Sequence, residues 1–520
     1  MPDSGFQAAV APRRPGSGIR DLGSAALAAL LLAMPSAAQE GPEGIVDRWF
    51  EQKWKDAKLR PGPAANGHQL IRRLSLDLTG RLPDPALVRR DAKKPARALV
   101  EQFLASPEAG EFFADLWIQW LTGHEIVFQD QIRCEFGPMH RWLKEAWTKD
   151  MPYDQFVRAL LSDRGAPKDK PAVNFAVKHL KPREPPVDIA FHAARLFLGR
   201  DIRCAQCHDH PYEKLSQEEY WRFAAFFRPL AMADGALVEQ SAPAGKPRDD
   251  FGEMAEPPVF FDGRKPEEGK PLGGELARFV TTTKDHDHAR AVVERYWRHF
   301  FGRTPGRANA GLVDALAKDF VGHGQKPKRL LRAILHSKAY LLASEGSRDD
   351  REAYAAGPLK YMNAVQFLRA YIHVFSLEAW YQKLVEKRRK DPNYAAFYRD
   401  PENMWLSMYM WAKDLMLPKG KDPDEALASG TVRMALRMMN NRDLQILLYA
   451  QFGIVRRVMA SKPTLEAQTD ELFLTLLGRP ATKEEQAEVV AYSKKLSSPY
   501  FAPVDTFWAI VNGAEFVFIR

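Results

Sequence analysis

A chain of 520 residues is too long for one ordinary core, so two or three domains are expected. With 27% charged and 45% hydrophobic residues it has the composition of a folded, soluble protein, which excludes global disorder. Its formal charge is +9, and its three cysteines are too few for a disulfide framework in an extracellular chain of this size.

Residues 1–38 read as a secretory signal. Arg13, Arg14 and Arg20 supply a positive leading region, Leu22 to Met34 a short apolar run, and Ser36-Ala37-Ala38 small residues for cleavage. The run is short for a transmembrane helix, and no later stretch approaches the ~20 apolar residues that a span requires. The protein is therefore expected to be exported to the periplasm or cell surface, without an integral span once the signal is removed. Removal takes away three Arg against Asp3 and Asp21, so the positive charge survives. Outside the cytoplasm such a charge is first of all a solvated basic surface; as a sign of a partner it points to an anionic polymer such as a polysaccharide or to an acidic partner, and not to nucleic acid.

From Gly44 onward, helix signals dominate. Aromatics recur at helical spacing through Asp47 to Trp54, and Phe112, Leu116, Trp117 and Trp120 form a second apolar stripe of the same kind. Pro152 opens a helix bearing Phe156, Val157, Leu160 and Leu161. Apolar runs stop at Gly80-Arg81, Gly302-Arg303 and Gly478-Arg479, each followed by a Pro, which predicts three helix-turn-helix corners. Asp188 is placed to cap a helix carrying Ile189, Ala193, Leu196 and Phe197 that ends at Gly199, and Ser216 to Glu219 forms a capping box before an aromatic helix. Residues 230–274 are rich in Pro and Gly, with only Val259-Phe260-Phe261 hinting at a strand, and read as a linker. Helical periodicity resumes at Leu276, with interruptions near 345–357 and 417–430. The expected architecture is all-α: a signal over 1–38, one helical domain over 44–229, the linker over 230–274, and a second helical domain over 275–520.

Several blocks carry a resemblance. In the first half they are Arg72 to Gly80, Met151 to Leu161, Phe197-Leu-Gly199 and Cys204-Ala-Gln-Cys-His-Asp-His-Pro211. In the second they are Trp297 to Arg303, Ser337 to Tyr340, Glu471 to Pro480 and Trp508 to Phe516. Together these resemble the paired PSCyt and PSD families of planctomycete-type bacteria, domains of unknown function 1549 and 1553. Two departures stand out: Glu294 occupies a position where the family usually has Asn, and the stretch after Gly302 is shortened. The resemblance implies export, a helical fold and company with cytochrome c-like domains; a sulfatase-like surface partner follows by association only. It implies no reaction.

Cys204-Ala-Gln-Cys207-His208 is the strongest chemical motif. Cys-x-x-Cys-His is the attachment signature of c-type haem, with two thiols for the vinyl groups and the imidazole presented to iron. Met232, Met254 and His192 are candidate distal ligands. A second reading takes Cys204, Cys207, His208 and His210 as an N/S set for zinc or another transition metal. A third is a Cys204 to Cys207 disulfide with no cofactor. The leading expectation is a redox module with one haem and a redox partner; the alternative is a non-haem scaffold stapled by metal or disulfide. Cys134 is expected to be buried, and His286-Asp-His288 to be a solvated helix start. His299, His323 and His336 are expected to be structural. No P-loop, nucleophile elbow or His-Glu-x-x-His pair is present, so the sequence signals no common nucleotide-binding or hydrolase site.

Overall fold

Helix caps decide where this chain turns. Gly80, Gly302 and Gly478 all close their helices in the left-handed conformation, as the three corners require. At Gly80 (φ +65°) a Cβ would lie 2.4 Å from Phe112, and at Gly302 (φ +74°) 2.6 Å from Lys360. Both positions therefore demand glycine for conformation and for space. The following helix begins at Pro85 after the Asp84 cap in the first corner, and at Lys483 after a Thr482–Glu485 capping box in the third.

The computed structural model describes residues 41–392 and 453–520, apart from stretches within 124–132, residues 182–185, 241–255 and 376; between 393 and 452 it describes only 406, 439 and 440. The expected signal, the interruption near 417–430 and Met254 lie outside the described residues. Within them the protein is predominantly helical, as expected, with two small antiparallel sheets. One is the hairpin Leu230–Ala233 with Ala236–Glu239; the other joins Lys360–Tyr361 to Phe518–Ile519 near the C-terminus. None of the described helices is long and apolar enough to cross a membrane.

Two local readings change. The hairpin stands at the start of the Pro/Gly-rich segment, whereas Val259-Phe260-Phe261 forms no strand: Phe260 and Phe261 pack on Phe223, and Phe260 also on Phe279. Aromatic burial, not strand pairing, is what those residues supply. Asp188 does not cap its helix, which begins at Val187 after Pro186; it sits in the first turn and pairs with Lys181 at 2.7 Å. A first-turn carboxylate still complements the helix dipole.

Residues 41–520 form one compact unit, and the halves on either side of residues 230–274 share one hydrophobic core. The helix Gly67–Thr79 shows how. It is buried on every face from Leu70 to Thr79, although it contains Arg72, Arg73, Ser75 and Asp77. Its three buried charged side chains, Arg72, Arg73 and Asp77, find partners far along the chain. Arg72 donates to the carbonyls of Phe516 (2.7 Å) and Glu515 (3.1 Å), and Arg73 to the carbonyl of Leu342 (3.0 Å) and the hydroxyl of Ser344 (3.1 Å). Asp77 accepts from Tyr340 (2.8 Å) and Gln366 (3.1 Å) and pairs with the Lys360 ammonium at 2.7 Å. A second buried carboxylate, Asp115, joins His140 (2.9 Å) and Arg369 (2.8 Å). The block Arg72 to Gly80 is thus a polar staple inside an apolar core, where an unmatched charge would be costly.

Buried histidines add a pH dependence. His179 donates to the Leu121 carbonyl (2.7 Å) and stacks on His192 at 3.9 Å, while His288 stacks on Tyr153 and bonds to Gln325 (3.0 Å). Burial pushes His192 down to about 3 and His288 down to about 4; burial and the neighbouring His192 hold His179 well below its ordinary value. Below pH ~6.5 the unfolded chain takes up protons that the folded one refuses, so stability is full above that pH and falls as acid is added. Each such histidine costs up to about 1.4 kcal/mol per pH unit. The melting temperature is expected to drop between pH 6.5 and 5, and less steeply in His288→Gln by about one proton's worth. An unchanged melting temperature across that range would contradict the neutral burial of these rings.

Candidate functional site

The motif is held between two anchors. The helix Val187–Phe197 ends into Gly199, which is left-handed at φ +67°, and the helix Gln217–Ala224 starts at the predicted Ser216–Glu219 capping box. Between them Arg203–Gln206 forms one turn of 3-10 helix. Ile202 and Ala205 are fully buried, which pins that turn to the core. Cys204, Cys207 and His208 lie on the other side and are exposed. Neither cysteine is in a disulfide.

Hydrogen bonds assign different roles to the two imidazoles. His208 Nδ1 lies 2.7 Å from the Asp209 carbonyl, which can only accept, so Nδ1 carries the proton and the exposed Nε2 keeps its lone pair. A ring held through its Nδ1–H by a carbonyl in this way is oriented to serve as a ligand through Nε2. His210 Nδ1 instead accepts the main-chain N–H of Glu213 (2.9 Å) and Tyr212 (3.3 Å), while the main-chain N–H of His210 donates to the Leu215 carbonyl (2.8 Å). His210 closes a loop, and its ring nitrogen facing the chain is already in use. Asp209 adds to the frame by accepting from the Gln217 N–H at 2.8 Å.

The aromatic helix that follows the motif does not wall an apolar slot beside His208. Trp221 and Phe226 are 5% and 1% exposed and face the core. Two cavities, of about 850 and 490 Å³, are lined by other residues. Of the candidate distal ligands, His192 is engaged by His179, and Met232 stands on the exposed side of the hairpin. Among the described residues no group of three or more His, Cys, Asp or Glu side chains stands ready around a metal ion. The motif's side chains are therefore exposed on one short turn but not gathered around a common point.

The remaining candidates are structural. Cys134 is buried, and burial pushes its thiol up to about 12. His286 and Asp287 start the helix Asp287–Phe301 as expected, but His288 is 1% exposed and belongs to the core. His299 is buried and donates from Nε2 to the Asp77 carbonyl (2.8 Å). His336 is buried against Glu101, and exposed His323 bonds to the Asp319 carbonyl.

Sequence reasoning missed the polar staple around Asp77. Arg72, Arg73 and Asp77 fall on one side of the helix, but Leu76 lies between them and Leu70, Ile71, Leu74 and Leu78 cover the other faces, a pattern that leaves no purely solvated face and could have signalled buried pairing.

Residues 45–232 match the family model PSCyt2, described as a protein of unknown function (DUF1549), and residues 274–374 match PSD1, described likewise (DUF1553). No curated protein and no solved structure matches the chain.

Proposed function

We propose that this chain, which belongs to the paired PSCyt2 and PSD1 domain family, is an exported non-haem binding protein of the cell surface that carries one soft transition-metal ion, such as zinc, on Cys204, Cys207 and His208. The tautomer of His208 carries the reading. Its Nε2 lone pair is left free on an exposed ring in the same short turn as two exposed thiols, and two sulfurs with one imidazole are a donor set suited to zinc or copper(I). The side chains are exposed, so gathering them costs only ordinary rotamer freedom, on the order of 1 kcal/mol each. His210 is left out of the set because its Nδ1 holds the following turn. The fourth coordination position is left to water or to a partner.

The same tautomer suits a c-type haem, and this observation favours that second reading. Against it stands the shielding a haem needs, which Trp221 and Phe226 do not supply. The test uses mature protein, whose N-terminus is expected near Gln39, purified in reductant and titrated with cobalt(II). One equivalent should bind with a thiolate-to-cobalt absorption band, lost when Cys204 and Cys207 are both changed to Ser. Failure of reduced protein to bind cobalt or zinc would overturn the metal reading. A Soret band after expression with haem-attachment machinery, abolished by the same double variant, would replace it with haem.

A further inference from the structure

The 490 Å³ cavity lies between the helix Val187–Phe197, the helix Asp287–Phe301 and the strand Lys360–Tyr361. Its charged lining is Arg195, Arg295, Arg298, Arg303 and Lys360 against a single carboxylate, Glu294. Lys360 is already matched by Asp77. The arginines in the second half are not neutralised in this way. Arg295 donates to the Leu196 carbonyl (3.0 Å) and lies over the Trp117 and Trp120 rings at 5.8 and 5.6 Å. Arg303 donates to the carbonyls of Arg351 and Glu352 and lies over Tyr354 at 4.1 Å. Arg298 is exposed at the last turn of its helix. Among the described residues none of these three meets a carboxylate.

We infer that this cavity binds an anionic organic ligand, a phosphate or sulfate ester, between the two halves of the protein. Main-chain carbonyls and aromatic faces hold Arg295 and Arg303 in place without cancelling their charge. Planar guanidiniums held this way are prepared for the paired oxygens of an oxyanion. Burial already pulls the Arg295 guanidinium down from its ordinary value, so an anion beside it relieves an existing cost. The volume lies within the ~300–1,000 Å³ typical of organic-ligand sites and far exceeds a lone inorganic ion, which leaves room for an organic body beside Leu116, Trp120 and Met362. This site goes beyond the metal reading and shares no residue with it.

Full-length protein titrated calorimetrically with glucose 6-phosphate, glucose 6-sulfate, inorganic phosphate and glucose tests the inference. At least one ester should bind, glucose should not, and inorganic phosphate should bind more weakly; the tighter ester identifies the anion. Arg298→Ala, exposed and outside every structural bond described above, should weaken binding about tenfold or more, as loss of a charged hydrogen bond does. Glu294→Gln removes the one carboxylate in the described lining and should tighten binding several-fold. Absence of binding by both esters, equal binding of glucose or of inorganic phosphate, or unchanged affinity in an Arg298→Ala protein with the wild-type melting temperature would each overturn it.

Discussion

Asp77→Ala is expected to destabilise the protein by about 3–5 kcal/mol, the cost of breaking a buried ion pair by removing one partner. The carboxylate is 0% exposed and receives Lys360, Tyr340 and Gln366. Lys360 is 7% exposed, and burial already lowers its affinity for a proton while Asp77 opposes that shift. Without Asp77 the ammonium keeps only the His299 carbonyl, and the Tyr340 hydroxyl and Gln366 amide lose an acceptor. Urea denaturation of the single variant measures the loss. Asp77→Leu combined with Lys360→Met should recover a large part of it, because the penalty lies in the stranded charge. A loss below about 1 kcal/mol in Asp77→Ala would mean that the staple contributes little beyond neutral packing.

Trp297→Ala should cost a similar amount, about 3–5 kcal/mol, by a different route: the loss of a large buried ring and the cavity left behind. Trp297 is 0% exposed. It stacks on Phe301 (4.5 Å between ring centres), meets Tyr354 edge-on (5.5 Å) and Phe50 at 6.0 Å, and donates its indole N–H to the Tyr354 hydroxyl at 3.0 Å. Phe50 comes from the first helix and the others from the second half, so the cavity opens in shared core. Calorimetry should therefore show the melting transition shifted as one event, with Trp297→Phe losing less because most of the ring volume remains. A transition that splits, with one half unaffected, would show that the halves are stabilised independently.

Helix content was legible because it rests on local rules. The left-handed glycines at 80, 302 and 478 and the Ser216–Glu219 capping box follow from φ preferences and from side chains reaching three residues along the chain. The strand expected at Val259 failed on the same principle in reverse. A short apolar run reads alike whether it pairs with a strand or packs on rings, and here distant Phe223 and Phe279 made the choice.

The sequence by itself determined the helices, their corners and the chemical identity of the Cys204, Cys207 and His208 turn, because capping, periodicity and ligand type depend on residues a few positions apart. Only the tertiary structure decided what those pieces do to one another. It buried Asp77 against Lys360, 283 positions away. It turned His208 outward while using His210 to close a loop, and gathered Arg195, Arg295, Arg298 and Arg303 around one cavity from two helices and a corner. The physical reason is that charge compensation and burial depend on distance in space, and residues far apart in the chain acquire that distance only when the common core forms.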